Sequence, residues 1–286
     1  MELTVIPFSE VSLSLQQARD DWRETDDFNT HGHSHEEINA IVPETQSLRH
    51  IRPPQWPGRY SNWIGLIMES QGVTDWHVFE LPRCLSDMFE DLAAMFPKFT
   101  TIGLSTKSVF VEGHQWFLRL EYAGPKDGEN GASPISTVEA VIERLCTSAR
   151  ARWALVGDLN EDPTRRPKVY LTPFNWSMDP RHGPHRSPSL TQTKRKNTHS
   201  TFMKAHDRII KHAENLGSRL GNGLLEAIKR QGFTFDVLMG QDGTVRLVEI
   251  NSFGAMSPCG SCLFHWIKDA RHLYGLENSV QVRIAL

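Results

Sequence analysis

Apolar positions recur with two different spacings along the chain. Leu85, Met88, Phe89, Leu92, Met95 and Phe96 repeat at helical intervals, and Pro97 closes the helix they predict. Phe202, Ile209, Ile210 and Leu216, then Leu220, Leu224, Leu225 and Ile228, predict helix over 201–230, with Gly232 as its C-cap. Ser136-Thr-Val-Glu139 has the form of a capping box for a helix running to about Ala149. A short helical piece is expected over 267–273. Alternation of period two marks the strands. Trp116, Leu118, Leu120 and Tyr122 alternate with Phe117, Arg119 and Glu121. Residues 108–111 and 166–172 read as further short strands, and Glu112-Gly113-His114 as a turn between the first two. Arg119 and Glu121 share a strand face, so that face needs a polar environment, either water or a ligand. Trp63 to Met68 predicts a buried element amid a concentration of aromatics: Trp56, Tyr60, Trp63 and Trp76.

Two stretches break these patterns. Residues 1–50 are polar and carry Asp20, Asp21, Glu24, Asp26 and Asp27. Residues 175–200 are rich in Pro, His, Ser and basic residues around Lys194-Arg-Lys196, and read as an exposed loop or a disordered segment. These shifts divide the chain into a polar segment at 1–50, a first subdomain at 51–165, and a second at 166–286 with a basic loop at about 175–205.

Composition narrows the class. A chain of 286 residues with 39% hydrophobic and 23% charged residues suits one large domain or two modest ones. A net charge of −3 gives no global basic field, so nucleic acid is not expected, although basic residues within 181–208 keep contact with RNA or an acidic partner open. No run of eighteen apolar residues predicts a membrane span, and the start shows no signal-peptide pattern, so the expected location is cytoplasmic. Cys84, Cys146, Cys259 and Cys262 are too scattered for a disulfide scaffold. Cys259-Gly-Ser-Cys262 is a lone CxxC, read first as a loop or packed thiol pair. His31-Gly-His33-Ser-His35 reads first as a solvated loop.

The candidate chemistry lies in a predicted hairpin. Phe233 to Met239 and Thr244 to Ile250 flank Gln241-Asp242-Gly243, and Asp-Gly is a strong hairpin signal. Glu249 and Asn251 are two apart on an extended chain and share a face; Asp236 stands on the partner strand. Two carboxylates and an amide oxygen suit a hard cation such as Mg²⁺. An ordinary hairpin with a polar rim is the alternative. The loop from Ala123 to Gly131 is glycine-rich and of a kind that can lie over phosphates.

Three segments resemble the cell division cycle protein 123 family, eukaryotic members of the ATP-grasp superfamily. They are Phe117-Leu-Arg119-Leu-Glu-Tyr-Ala-Gly-Pro125-Lys126-Asp127; Ser133-Pro-Ile-Ser-Thr137 with Cys146-Thr-Ser148; and Phe235-Asp236-Val with Val248-Glu249-Ile-Asn251-Ser-Phe-Gly254. The resemblance implies an α+β, ATP-grasp-like fold in which two subdomains with antiparallel sheets grip ATP and Mg²⁺. It implies Asp236, Glu249 and Asn251 as the metal ligands, with Asp236 also at the nucleotide. Arg119 falls where the family has a phosphate-binding lysine. Lys126 and Asp127 would belong to the loop over the nucleotide, and the strand with Tyr170 and Thr172 would be the adenine-side linker. Thr172-Pro173 stands where the family has a basic pair, and 178–184 lacks the family's Glu-Phe-Arg strand.

The resemblance implies an assembly factor, chaperone-like in action, that binds the gamma subunit of translation initiation factor 2 with ATP. The departures keep two further readings open: an ATP-dependent carboxylate–amine ligase of small-peptide metabolism, and a catalytically silent scaffold of the same fold.

Overall fold

In the computed structural model of the chain, the first strand, β1 (Glu2–Ile6), lies within the polar start. Helix α1 (His35–Ala40) and a 3-10 turn at Trp56–Gly58 come next, then helix α2 (Tyr60–Gln71) and strands β2 (His77–Glu80) and β3 (Trp116–Arg119). Helices α3 (Val138–Thr147) and α4 (Ala149–Glu161) lead to β4 (Lys168–Pro173). The remainder is α5 (Gln192–Leu220), α6 (Leu224–Gln231), β5 (Phe233–Met239), β6 (Val245–Ser252), α7 (Ala270–Leu273) and β7 (Gln281–Ala285). The structure describes residues 2–7, 9, 35–40, 56–81, 109–131, 133–174, 192–221, 223–239, 244–253, 264, 269–277 and 281–285. The fold is α+β, with helices beside short, mainly antiparallel sheets. Among the described residues no helix is long and apolar enough to cross a membrane.

The chain forms two compact units. One comprises Arg59–Arg186 and Val237–Glu249, the other Met1–Gly58, Ser187–Asp236 and Ile250–Leu286. The boundary thus crosses the β5 and β6 strands, which pair as a two-stranded sheet.

In the first unit, β4 is the central strand of an antiparallel sheet ordered β2-β4-β3. Leu118 pairs with Leu171, and Arg119 with Tyr170. Alternation then sorts the sheet into two faces. Trp116, Leu118, Val169 and Leu171 pack with Ile135, Leu145, Ala151, Ala154 and Leu155 in one apolar core. Arg119, Tyr170 and Thr172 fall on the opposite face and are also buried. Burial of an apolar side chain of this size is worth about 1.5–3 kcal/mol, so this core is the main anchor of the unit.

Helix α2 buries Trp63, Ile64, Leu66, Ile67 and Met68, as the apolar run predicts. It stops at Gly72, whose φ of 68° lies in the left-handed region, and the Val73 N–H returns to the Met68 carbonyl. Thr137, one residue after the predicted Ser136, caps α3 by accepting from the Ala140 N–H at 3.1 Å. The helix expected to reach Ala149 instead ends at Thr147. Ser148 is extended, and its hydroxyl caps α4 by accepting from the Ala151 N–H at 2.9 Å.

In the second unit, β1 and β7 pair in parallel, from Glu2 with Gln281 to Ile6 with Ala285. Ile209 and Ala213 of α5 are buried, as are Leu224, Ala227 and Ile228 of α6, and these two helices pack together. Gly232 caps α6 with φ 80° and donates to the Ile228 carbonyl at 2.8 Å, as expected.

Three expectations change. Residues 109–111 are not in a strand, while the expected turn at Glu112-Gly113-His114 follows, closed by the His114 N–H on the Val111 carbonyl at 3.0 Å. Residues 192–200, expected as loop or disorder, are the first turns of α5. Helix formation is cooperative, so a helix anchored by the stripe buried downstream extends through Gln192, Lys194, Arg195 and Lys196, which are good helix formers, despite the weaker Thr, Asn, His and Ser among them. Residues 2–6, expected in a merely polar segment, form a strand because the far end of the chain supplies its partner. The Gln241-Asp242-Gly243 turn, the helix expected over 85–96, residues 175–191 and three of the cysteines (84, 259 and 262) lie outside the described residues, as do His31 and His33.

Candidate functional site

The polar face of the three-stranded sheet carries a chain of buried charges. Glu121 follows β3 and its carboxylate accepts from the Ser61 N–H at 2.9 Å and from the Tyr170 hydroxyl at 2.6 Å. The Glu121 carbonyl also accepts from the Tyr60 N–H at 2.9 Å. An acid thereby satisfies the N-terminus of α2, where helix N–H groups lack internal partners. Burial, followed by the charge of Glu121, raises the Tyr170 hydroxyl well above its ordinary value, so it stays a proton donor.

Arg119 lies beside this on β3. Its guanidinium sits over the Tyr60 ring, 4.7 Å from the centroid, and donates to the Glu249 carboxylate on β6. The Tyr60 ring meets the Tyr170 ring edge-on at 5.2 Å, and its hydroxyl is hydrogen-bonded with Thr172. Glu249 is held in place through its own strand. The Leu247 N–H donates to the Ser70 hydroxyl at 2.8 Å, and the Gln71 amide donates to the Leu247 carbonyl at 2.7 Å. The last turn of α2 therefore fixes the backbone two residues before Glu249.

The electrostatics follow from this placement. Burial pushes the Glu249 carboxyl up, but the charge and hydrogen bond of Arg119, with Lys126 and Arg150 adding to them, hold it below the usual carboxylate range. Glu249 is thus firmly ionised. Protein groups supply part of the polar environment that Arg119 and Glu121 need.

The glycine-rich loop is tied down. Asp127 accepts from the Ser148 hydroxyl and, at 3.1 Å, from the Arg150 N–H at the start of α4. The Glu129 N–H donates to the Thr147 hydroxyl at 2.7 Å, and Arg150 Nε donates to the Gly124 carbonyl at 3.2 Å. Gly128 is needed for close approach: a Cβ there would stand 2.7 Å from the Arg144 carbonyl oxygen. Lys126 is exposed, with its amine over the Phe117 ring at 5.8 Å.

The structure therefore brings Arg119, Thr172, Tyr170 and Glu249 into one polar face, with Lys126 acting on Glu249. It gives Asp127 to the N-terminus of α4. Glu249 and Asn251 share one face of β6 by their spacing, and Asp236 is an exposed residue of β5. Among the described residues no three His, Cys, Asp or Glu side chains gather into a metal-binding group. An all-oxygen set with an ionised Glu249 nonetheless has the donor chemistry of a hard divalent ion. Two contributors were not singled out as site residues from the sequence. Tyr60 was marked only as one of several aromatics, and Arg150 lies past the expected helix end, where only recognising Ser148 as a second cap reveals it.

No family model matches the sequence, and no curated protein does. Among solved structures the chain is similar to Cdc123 from Schizosaccharomyces pombe. The match is 17% identical with a TM-score of 0.40 and covers 68% of this chain and 83% of that one. A C-terminally truncated Cdc123 from the same organism is 15% identical with a TM-score of 0.45, over 79% of this chain and 94% of that one. Both are structures of the family that the three sequence segments resemble.

Proposed function

We propose that this chain is an ATP- and Mg²⁺-binding protein with an ATP-grasp-like site, acting in the cytoplasm as an assembly factor on the gamma subunit of translation initiation factor 2. The observation that carries the nucleotide reading is the convergence of three cations on Glu249. Arg119 touches it, and Lys126 and Arg150 act on it through space. Arg119 binds phosphate oxygens in a fork, and its place on a sheet strand over the Tyr60 ring orients it beforehand. Lys126, on a loop anchored through Asp127, supplies a second positive charge. These charges offset the basic pair that Thr172-Pro173 replaces. Asp236, Glu249 and Asn251 would hold the ion, which supplies charge neutralisation to the phosphates when bound. A silent scaffold is the second reading, favoured by Thr172, which is buried against Tyr60 where the family has a basic residue.

Pull-down of purified initiation-factor gamma subunit, with and without ATP, tests the partner. Capture that strengthens with ATP supports the assembly role. ATP binding with no capture moves the assignment to a ligase, and neither result leaves only the scaffold.

A further inference from the structure

We propose that the Arg119–Glu249 pair makes this site select a magnesium-complexed polyphosphate over the free anion, because the two side chains must exchange partners together. The proposal rests on the nucleotide-binding reading above. The phosphate-gripping cation and the metal-gripping acid of that reading are in contact with each other. Their side chains are only 8% and 20% exposed, so water compensates little for separating them. Arg119 is held from below by the Tyr60 ring, and Glu249 from behind by the Ser70 and Gln71 contacts to Leu247.

Consider each half of the exchange alone. An anion that draws Arg119 away leaves Glu249 as a nearly buried carboxylate stripped of its contacting cation. A divalent cation that draws Glu249 away leaves Arg119 as a buried guanidinium stripped of its anion. Either half costs the desolvation of an uncompensated charge. When Arg119 turns to a phosphate oxygen as Glu249 turns to the divalent ion, each charge is compensated throughout. The ion pair therefore couples the two ligands, and coupling of this kind typically amounts to roughly 5–150-fold in affinity. Lys126 is exposed, with its amine over the Phe117 ring, and acts on Glu249 only through space, so its charge sets the initial attraction of the anion.

The test is calorimetric titration of ATP, and separately of inorganic tripolyphosphate, in excess Mg²⁺ and in excess chelator. The proteins are the wild type, Glu249→Gln and Lys126→Gln, each checked for folding by its melting curve. The wild type is expected to bind at least about tenfold more tightly with Mg²⁺. Glu249→Gln should bind the chelated anion more tightly than the wild type and lose most of the gain from Mg²⁺. Lys126→Gln should weaken both conditions in parallel. Binding by the wild type with no gain for Glu249→Gln in chelator overturns the exchange while leaving the nucleotide reading intact. Absence of binding of either anion to all three proteins overturns both.

Discussion

The Arg119 guanidinium and the Glu249 carboxylate are 130 residues apart in sequence and in direct contact in the fold. The contact joins β3, which carries Arg119, to β6, which carries Glu249. Breaking it from one side is expected to be costly. Arg119→Ala should destabilise the protein by about 3 kcal/mol or somewhat less, given the partial exposure of Glu249. Arg119→Lys should recover part of that. Urea denaturation of both variants checks the order, and equal stability of Arg119→Ala and wild type would mean that the pair contributes nothing.

Asp127 gives a prediction of a different kind, because it closes the N-terminus of α4. Asp127→Ala should cost about 1 kcal/mol, typical of a lost N-terminal cap, while Asp127→Asn should retain most of the stability. If the alanine and asparagine variants melt together with the wild type, the capping contact is not made.

Gly128 tests how tightly the loop is seated. A methyl group there meets the Arg144 carbonyl at 2.7 Å, with Thr147 and Ser148 also close. Gly128→Ala should lower stability by about 1–3 kcal/mol, as overpacking does. It should also displace Lys126 and weaken anion binding in the same protein. A wild-type melting temperature in Gly128→Ala would show that the loop stands further from α3.

The pH dependence has two opposing parts. Burial pushes the Asp158 carboxyl up to about 6, against the pull of Arg59, with Glu121 and Glu161 adding to the rise and Lys168 to the pull. Arg59 and Arg165 contact it at 3.1 and 3.3 Å, while Arg59 also bonds Tyr122 and Glu161. A carboxyl raised on folding costs stability when ionised, and that cost is relieved as pH falls through about 6 toward its unfolded value of 3.8. Glu249 has the opposite sign. Its stabilisation is present above its unfolded value and is lost as pH falls through the lower folded one. Asp158→Asn removes this pH dependence, so its stability relative to the wild type should be highest above pH 6 and fall as pH falls toward 4 (roughly the unfolded value), whatever the constant cost of leaving Arg59 and Arg165 without the carboxylate. A stability difference independent of pH over that range would contradict the shift.

The parts of this fold legible in sequence are those with a local signature. Trp63 to Met68, the alternation from Trp116 to Leu120, and Gly232 after α6 each announce their own element. Helix α4 was not legible because Asp158 interrupts the buried stripe of Ala151, Ala154 and Leu155, so its periodicity reads as weak. The β1–β7 pairing has no local signature at all, since neither five-residue strand predicts its partner nearly 280 residues away. In the site, the residue types at Arg119, Glu249 and Asn251 were readable from motif and spacing. Their relations were not, because that Arg119 faces Glu249 depends on the Ser70 and Gln71 contacts that set β6 against α2.

The most direct test of the central claim is titration of the full chain with ATP in the presence of Mg²⁺, repeated on Asp236→Ala and Asn251→Ala. The account predicts binding by the wild type and loss of the Mg²⁺-dependent part in both variants. No binding to the wild type at ATP concentrations on the order of millimolar, or undiminished Mg²⁺-dependent binding in both variants, would contradict it.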